Sequence, residues 1–470
     1  QALLFCLCTA IIVALMMDTS PWSRFYPLGD SAVFAYIGRE MAKGSIPYVD
    51  LFDHKGPSLY LIEAMGFRLG SENFTGIWIL EVLNMAVTLL LLQKLCTLFT
   101  DRRSASWPAL LMTFIACGWE VYEGGNFVEE YALPWISLAM WIFFRFFRTD
   151  GYHRRDIFLL GFGFAVVFFL RVNMVACWIA LVPLVLFRLI ATHRWWELWQ
   201  CAGLFTAGCL TVTVPILIWA AGNGCLTALW DCYFVFNFAY TGELGSNPGM
   251  YLHLTKVFLL KLLPGVIAMV LGLCVRLKDR LLYITAWLFS VGLVLLEMSG
   301  RDYPHYLITQ LPILVVGLTC FFDFTARKLR PEDADSAVLM LLCLGLLVGS
   351  VGYHVITGRV DWPEDAAVLW LRENTQTGDD VLVLGNSAWT YLGSDRCTEN
   401  RFFYQTPPLD ISEKLRNEFA EELEKHPSDV VITSGGFAEG WKAMVLETEG
   451  YVYEDLGPFA VYRRTDDTAQ

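Results

Sequence analysis

Leu28–Tyr60, LGDSAVFAYIGREMAKGSIPYVDLFDHKGPSLY, is a polar, carboxylate-rich stretch placed just after the first hydrophobic segment of an otherwise apolar chain. Val33, Phe34, Ile37 and Met41 recur at helical spacing, with Asp30 just ahead of them, Gly44 placed to end the helix and Pro47 beyond it. Asp50, Asp53, His54 and Lys55 then crowd together before Gly56-Pro57. Charge at this density beside apolar segments is costly to desolvate, so the stretch reads as an active-site loop.

Outside that loop the chain is oily. Of 470 residues, 56% are hydrophobic and 17% charged, and the mean hydropathy is +0.47; soluble domains carry about 25% charged residues. The apolar residues come in blocks near the ~20 needed to cross a bilayer. The expected fold is an α-helical polytopic membrane protein of about 11 transmembrane helices with a small C-terminal α/β domain. The spans fall at roughly 2–17, 74–98, 105–122, 127–146, 156–171, 173–192, 199–221, 253–275, 281–299, 304–323 and 336–357. The first run is short and has no Met before it, and is read as the end of a retained first helix whose opening residues are missing, not as a signal peptide.

The connections alternate in charge. One set holds Arg102 and Arg103, then Arg145, Arg148, Arg154 and Arg155, then Arg188 and Arg194, then Arg276, Lys278 and Arg280, then Arg327, Lys328 and Arg330. The positive-inside rule puts that set in the cytoplasm, and the loop 18–73 and the tail outside the cell membrane. The division is therefore 1–358, a membrane-spanning catalytic part carrying the outer loop 18–73, and 359–470, a soluble extracytoplasmic α/β domain. In that tail a helix at EDAAVLWLREN, strands at 381–385, 430–433, 451–454 and 459–463, a helix at SEKLRNEFAEELEKH and another near 438–448 alternate as in a layered fold.

The tail holds 22 acidic and 10 basic residues, a net −12 out of −13 for the whole chain. An acidic balance argues against a nucleic-acid partner. Most cysteines lie in apolar segments; Cys225 and Cys232 share an outer connection and are the one candidate disulfide. No CxxC or Cys/His spacing for zinc occurs.

Asp30 reads as a helix N-cap, as a general base, or as both, since a cap fixes the carboxylate and leaves one oxygen free. Asp50, Asp53 and His54 suit a solvated loop, or by ligand type a divalent metal. Alternatively Lys55 takes a phosphate as a point charge while Asp53 and His54 hold it or touch a sugar. On the other outer connections stand Glu129 and Glu130 in EVYEGGNFVEE, the aromatic segment 230–240, and Arg301, Tyr303 and His305 in SGRDYPHY. Arg171, Lys256 and Lys261 sit in or beside apolar runs; the first and last are candidate phosphate cations and Lys256 reads as snorkelling. Glu81 and Glu297, inside spans, read as internal hydrogen-bond partners.

The stretch GDSAVFAYIGREMAKGSIPYVDLFDHKGPSLY resembles the first outer loop of GT-C membrane glycosyltransferases, in the branch of protein O-mannosyltransferases and lipid A aminoarabinose transferases. Asp30 matches that family's opening acidic residue. His54-Lys55-Gly56-Pro57 matches its Lys-Pro-type motif with a Gly inserted, and Asp30-Ser31 stands where many members have two carboxylates. Asn126–Pro134, NFVEEYALP, is similar to the second acidic outer motif, pointing to Glu129 or Glu130, and SDRCTENRFFYQTP (394–407) is similar to the outer domain of bacterial members. The resemblance implies a sugar taken from a polyprenyl-phosphate carrier and passed to a glycan, lipid or protein hydroxyl outside the cytoplasm, with membrane lipids as surroundings and no cofactor required. Phosphate is a good leaving group, so one base, Asp30, suffices, with cations such as Lys55, Arg171, Lys261 and Arg301 near the departing phosphate. A transporter or lipid flippase is the alternative, but its usual signs are inverted repeats and midplane polar sites, whereas here the polar clusters lie at the outer ends. A scaffold presenting the acidic tail leaves the charged loop without a purpose.

Overall fold

The computed structural model describes residues 2–23, 26–71, 73–101, 103–244, 248–261, 278–298, 301, 303–329, 344–349, 351–352, 363–406, 408–434 and 450–464, with isolated positions between 263 and 274. The chain divides into two compact units. One comprises Gln1–Ser23, Trp78–Trp219 and Thr241–Thr357; the other comprises Arg24–Ile77, Ala220–Tyr240 and Gly358–Gln470.

The first unit is helical. Among the described residues, five helices are long and apolar enough to cross a membrane: Thr75–Cys96, Val172–Ala191, Trp195–Gly222, Arg280–Glu297 and Pro304–Lys328. Helices Ala2–Ala14, Arg103–Tyr122, Val128–Thr149 and Arg154–Phe168 stand at other expected spans. The expected span 253–275 begins in the helix Pro248–Lys261; its later part, and 336–357 apart from 344–349 and 351–352, lie outside the described residues. Trp195–Gly222 leaves Trp196 78% and Ile218 67% exposed, as suits a segment whose solvent is lipid. Small residues let this helix cross Arg154–Phe168 closely: a Cβ at Gly161 would lie 1.9 Å from the Phe205 carbonyl oxygen, and one at Gly208 2.1 Å from that of Phe158.

The second unit is built around the opening loop. Helix Gly29–Lys43 ends at Gly44, whose φ of 121° only glycine adopts readily and whose N–H reaches the Glu40 and Met41 carbonyls. Its N-cap is Leu28, without a side-chain cap bond, so the capping role expected of Asp30 is not taken up; Asp30 lies inside the first turn, after Gly29 at φ +51°. A carboxylate there still complements the positive end of the helix dipole. Pro57 opens the next helix, Pro57–Leu69, with its missing N–H and fixed φ suited to a first turn. The two helices touch at Gly38, where a Cβ would fall 2.2 Å from Glu63 Cβ.

The C-terminal residues of this unit form a four-stranded sheet of β1 (Val381–Leu384), β2 (Val430–Ser434), β3 (Tyr451–Asp455) and β4 (Phe459–Arg464) in the order β1-β2-β4-β3. β1 and β2 run parallel with Val381 opposite Val430; the other pairs are antiparallel, Val430 facing Arg463 and Tyr453 facing Tyr462. Helix Pro363–Asn374 covers the sheet through Ala367 and Leu371, and helix Glu413–Lys425 starts at Ser412, whose hydroxyl accepts from Leu415 N. The helix expected near 438–448 lies outside the described residues.

The loop groups with these C-terminal residues rather than with the spanning helices. Buried Arg39 donates to the carbonyls of Tyr391 (3.1 Å) and Arg396 (2.6 Å) and to Glu40 (2.7 Å). Tyr36 stacks on Tyr391 at 4.7 Å and accepts from Thr398 N. Cys225 and Cys232 are both free, which corrects the disulfide expectation. The helical segment between them holds them about 10 Å apart along its axis, beyond disulfide reach. Arg39→Ala removes three charge-assisted contacts from a buried setting; it is expected to lower stability by about 2–3 kcal/mol and to speed proteolysis between 391 and 401, read by thermal melting and limited digestion of the purified protein.

Candidate active site

Lys55 is placed by the backbone around it. Tyr48 holds a left-handed φ of 74°, its hydroxyl donates to the Lys55 carbonyl at 2.9 Å, and its ring packs edge-on against Tyr60. A bulky residue at positive φ is strained and persists only where its surroundings hold it; here the Tyr48 N–H to Leu51 carbonyl bond of 2.8 Å and full burial do so. Phe52 N donates to the Arg401 carbonyl at 2.8 Å and its ring stacks on Phe402. The loop's second half is thus pinned at 48, 52 and 57.

The Lys55 ammonium lies 3.8 Å from Asp30 Oδ2 and 3.3 Å from His54 Nε2, with the Phe34 ring 5.5 Å away. The two members of the ion pair differ: the Lys55 side chain is 8% exposed and that of Asp30 43%. A hidden cation therefore faces a carboxylate that meets solvent. His54 Nδ1 lies 2.9 Å from Asn237 Oδ1, and its ring sits against Phe236 and Tyr240. Burial pushes the imidazole down to about 4, Lys55 adds to the shift, and Asp53 opposes it. His54 is neutral at ordinary pH.

Asp53 is closed off. Tyr60 donates to Oδ2 at 2.6 Å and Tyr404 to Oδ1 at 2.7 Å, and the side chain is 2% exposed. Burial, and then the Asp53 charge, hold both tyrosine hydroxyls well above their usual range. Both Asp53 oxygens are thus engaged by tyrosines of the loop and the tail, which holds the loop in place. Asp50 is exposed and accepts from Ile46 N at 2.6 Å, closing a turn. The grouping of Asp50, Asp53 and His54 considered for a metal is not assembled, and among the described residues no three His, Cys, Asp or Glu side chains come together for one. Asp53 Oδ1 lies 3.9 Å from His54 Nε2, but Asp50 is turned to the Ile46 amide.

The remaining candidates lie in the helical unit. Glu123 to Asn126 all have positive φ (43°, 93°, 79° and 60°), a left-handed turn that its two glycines make accessible. Asn126 N donates to Glu81 (2.7 Å) and to Glu130 (3.2 Å), and the Thr19 hydroxyl also donates to Glu81. Thr255 donates to Glu297. Arg171, expected as a phosphate cation, is engaged by Glu129 at 2.7 Å and by the Tyr306 hydroxyl at 2.7 Å. His305 stacks on Phe127 at 4.1 Å and meets Glu123 through Nδ1 at 2.8 Å, while Tyr303 is exposed and Arg301 half-buried. Lys256 is exposed, and the Lys261 side chain lies outside the described residues.

Tyr48, Tyr60, Tyr404 and Asn237 were not singled out from the sequence. Asn237 and Tyr404 stand in the aromatic runs FNFAY and RFFYQ, a composition shared with any membrane interface, while Tyr48 and Tyr60 stand in SIPYVD and GPSLYLI, where nothing local marks them.

Fold and composition together define a polytopic membrane protein of the GT-C architecture. Chain-wide similarity joins it to ArnT from Cupriavidus metallidurans, solved bound to undecaprenyl phosphate (14% identity, TM-score 0.68, covering 99% of this chain and 98% of that one) and in the apo state (13%, 0.66, 98% and 97%). It extends to the archaeal oligosaccharyltransferase AglB from Archaeoglobus fulgidus, solved with an inhibitory peptide and a dolichol-phosphate (13%, 0.52, 99% and 74%). At these identities the likeness establishes the fold. Residues 3–332 match a family model, and the chain belongs to that family, described as "Putative competence-induced protein Ccs4 N-terminal domain". No curated protein matches the chain by sequence.

Because folded His54 binds fewer protons than unfolded His54 between its usual value of 6.5 and about 4, its contribution to stability is whole above pH 6.5 and is lost as pH falls toward 4. Lowering the pH from 7.5 to 5 is expected to destabilise the protein by on the order of 2 kcal/mol through this group. In His54→Gln that part of the pH dependence of the melting temperature should vanish.

Proposed function

We propose that this chain is an integral membrane glycosyltransferase that moves a sugar from a polyprenyl-phosphate carrier to an acceptor hydroxyl of a cell-envelope glycan, lipid or protein, at the outer face of the membrane. The observation that carries this reading is the 3.8 Å approach of a solvent-facing carboxylate, Asp30, to a hidden ammonium, Lys55. In the transfer, the acceptor's O–H proton passes to Asp30 as its oxygen bonds to the anomeric carbon. The bond from that carbon to the phosphate oxygen breaks, and its electron pair leaves on the phosphate. One base serves, because phosphate leaves without protonation. The departing phosphate gains a negative charge, which a preorganised cation stabilises without reorganisation.

The pair of Asp30 and Lys55 would open on donor binding. An anionic phosphate seated on Lys55 replaces Asp30 as its counter-charge and frees the carboxylate for the acceptor. The GT-C fold, shared with proteins solved with undecaprenyl phosphate and dolichol-phosphate, supports a lipid-phosphate donor, and the charge of the connections supports an outer-face site. Arg171, engaged by Glu129 and Tyr306, is better suited to orienting Glu129 than to meeting the donor. A divalent metal has no role in this scheme.

Asp30→Asn is expected to lower kcat by ~10²–10⁴-fold while the protein still folds and binds donor; near-normal turnover would reject the base assignment. Lys55→Met should raise the donor KM as well as lower kcat. Prior treatment with EDTA should leave transfer intact, and a strict requirement for a divalent ion would contradict the phosphate-anchor role of Lys55.

A further inference from the structure

Asn237 lies on the helical segment running through Leu226–Trp230 and Phe236–Leu244, just beyond one π turn at Asp231–Val235. A π turn inserts an extra residue and rotates the helix beyond it, and such turns gather at functional sites. Past that turn Phe236 and Tyr240 are buried, with rings 5.3 and 5.6 Å from the His54 imidazole, and Asn237 reaches the ring edge between them.

We propose that Asn237 is a positioning residue that fixes His54 as the neutral tautomer carrying its proton on Nδ1, so that Nε2 holds the Lys55 ammonium ready for a phosphate. This deepens the function proposed above and rests on it. Two independent constraints give the tautomer. The Lys55 ammonium has donors and no acceptor, so the Nε2 atom 3.3 Å away must carry a lone pair. From the other side, Asn237 Nδ2 donates to the carbonyls of His54 (2.7 Å) and Tyr233 (2.8 Å). The amide nitrogen faces those two oxygens, so Oδ1 faces His54 Nδ1 at 2.9 Å and requires a proton there. Both ends of the ring agree.

The bond to the His54 carbonyl makes the contact a two-point clamp, holding the residue's backbone and its ring together. The charged groups acting on His54 are Lys55, Asp53 and Asp30, and Asn237 adds a neutral oxygen. A carboxylate at 237 would instead favour the imidazolium, which has no acceptor left for Lys55 and repels it. A neutral amide at this position keeps Lys55 in place.

The test uses the full chain in lipid nanodiscs with ¹⁵N-labelled histidine, the His54 resonance being assigned among the 7 histidines through His54→Gln. Wild type is expected to show neutral His54 protonated on Nδ1 at pH 7. Asn237→Leu should lose that signature and bind undecaprenyl phosphate about 10-fold more weakly, the loss of one charge-assisted contact. In Asn237→Asp the imidazolium should be populated at pH 7 and affinity for undecaprenyl phosphate should recover as pH rises, a profile that a merely structural role would not give. A wild-type His54 protonated on Nε2, or an Asn237→Leu protein with unaltered His54 and wild-type affinity, overturns the proposal. If wild type fails to bind undecaprenyl phosphate, the proposed function falls, while the tautomer still decides what Asn237 does.

Discussion

An ammonium group withdrawn from water is the constraint around which the loop is arranged. Lys55 keeps only 8% of its side chain exposed, and an unmatched charge in such a place would shift or escape. Each nearby feature answers that demand. Asp30 supplies the opposing charge, His54 supplies a lone pair, and the Phe34 ring covers the remaining side. Tyr48 and Tyr60 both point hydroxyls at the Lys55 carbonyl, at 2.9 and 3.3 Å, so the backbone is held as firmly as the side chain.

The loop's carboxylates divide by environment. Asp53 is closed between two tyrosine hydroxyls, Asp50 stabilises a turn, and Asp30 faces Lys55 with 43% of its side chain exposed. One residue type thus takes three roles, set by burial and hydrogen bonding. The same holds in the helical unit, where Glu81 and Glu130 receive the amide of a left-handed turn and Glu129 engages Arg171.

Much of this was legible in the sequence. Hydrophobic blocks gave the helices, because a span must satisfy its own backbone and exposes apolar side chains all round. Gly44 marked a helix end through a constraint local to one residue. Strands β1 to β4 stood out as short apolar runs between charged helices. Where partners lie hundreds of residues away, pattern reading failed. Tyr404 reaches Asp53 across 351 positions and Arg39 reaches Arg396 across 357, and nothing in local periodicity encodes such pairs. The capping role assigned to Asp30 missed because Gly29 at positive φ starts the helix one residue earlier. The disulfide expectation missed because a loop was assumed where the chain is helical.

The most direct test is a cryo-EM map of the full chain in nanodiscs with undecaprenyl phosphate. Phosphate density is predicted within about 3 Å of Lys55 Nζ, with Asp30 moved off the ammonium and turned to open water. Phosphate bound elsewhere, with the contact between Asp30 and Lys55 still closed, would contradict the assignment of Lys55 as its anchor.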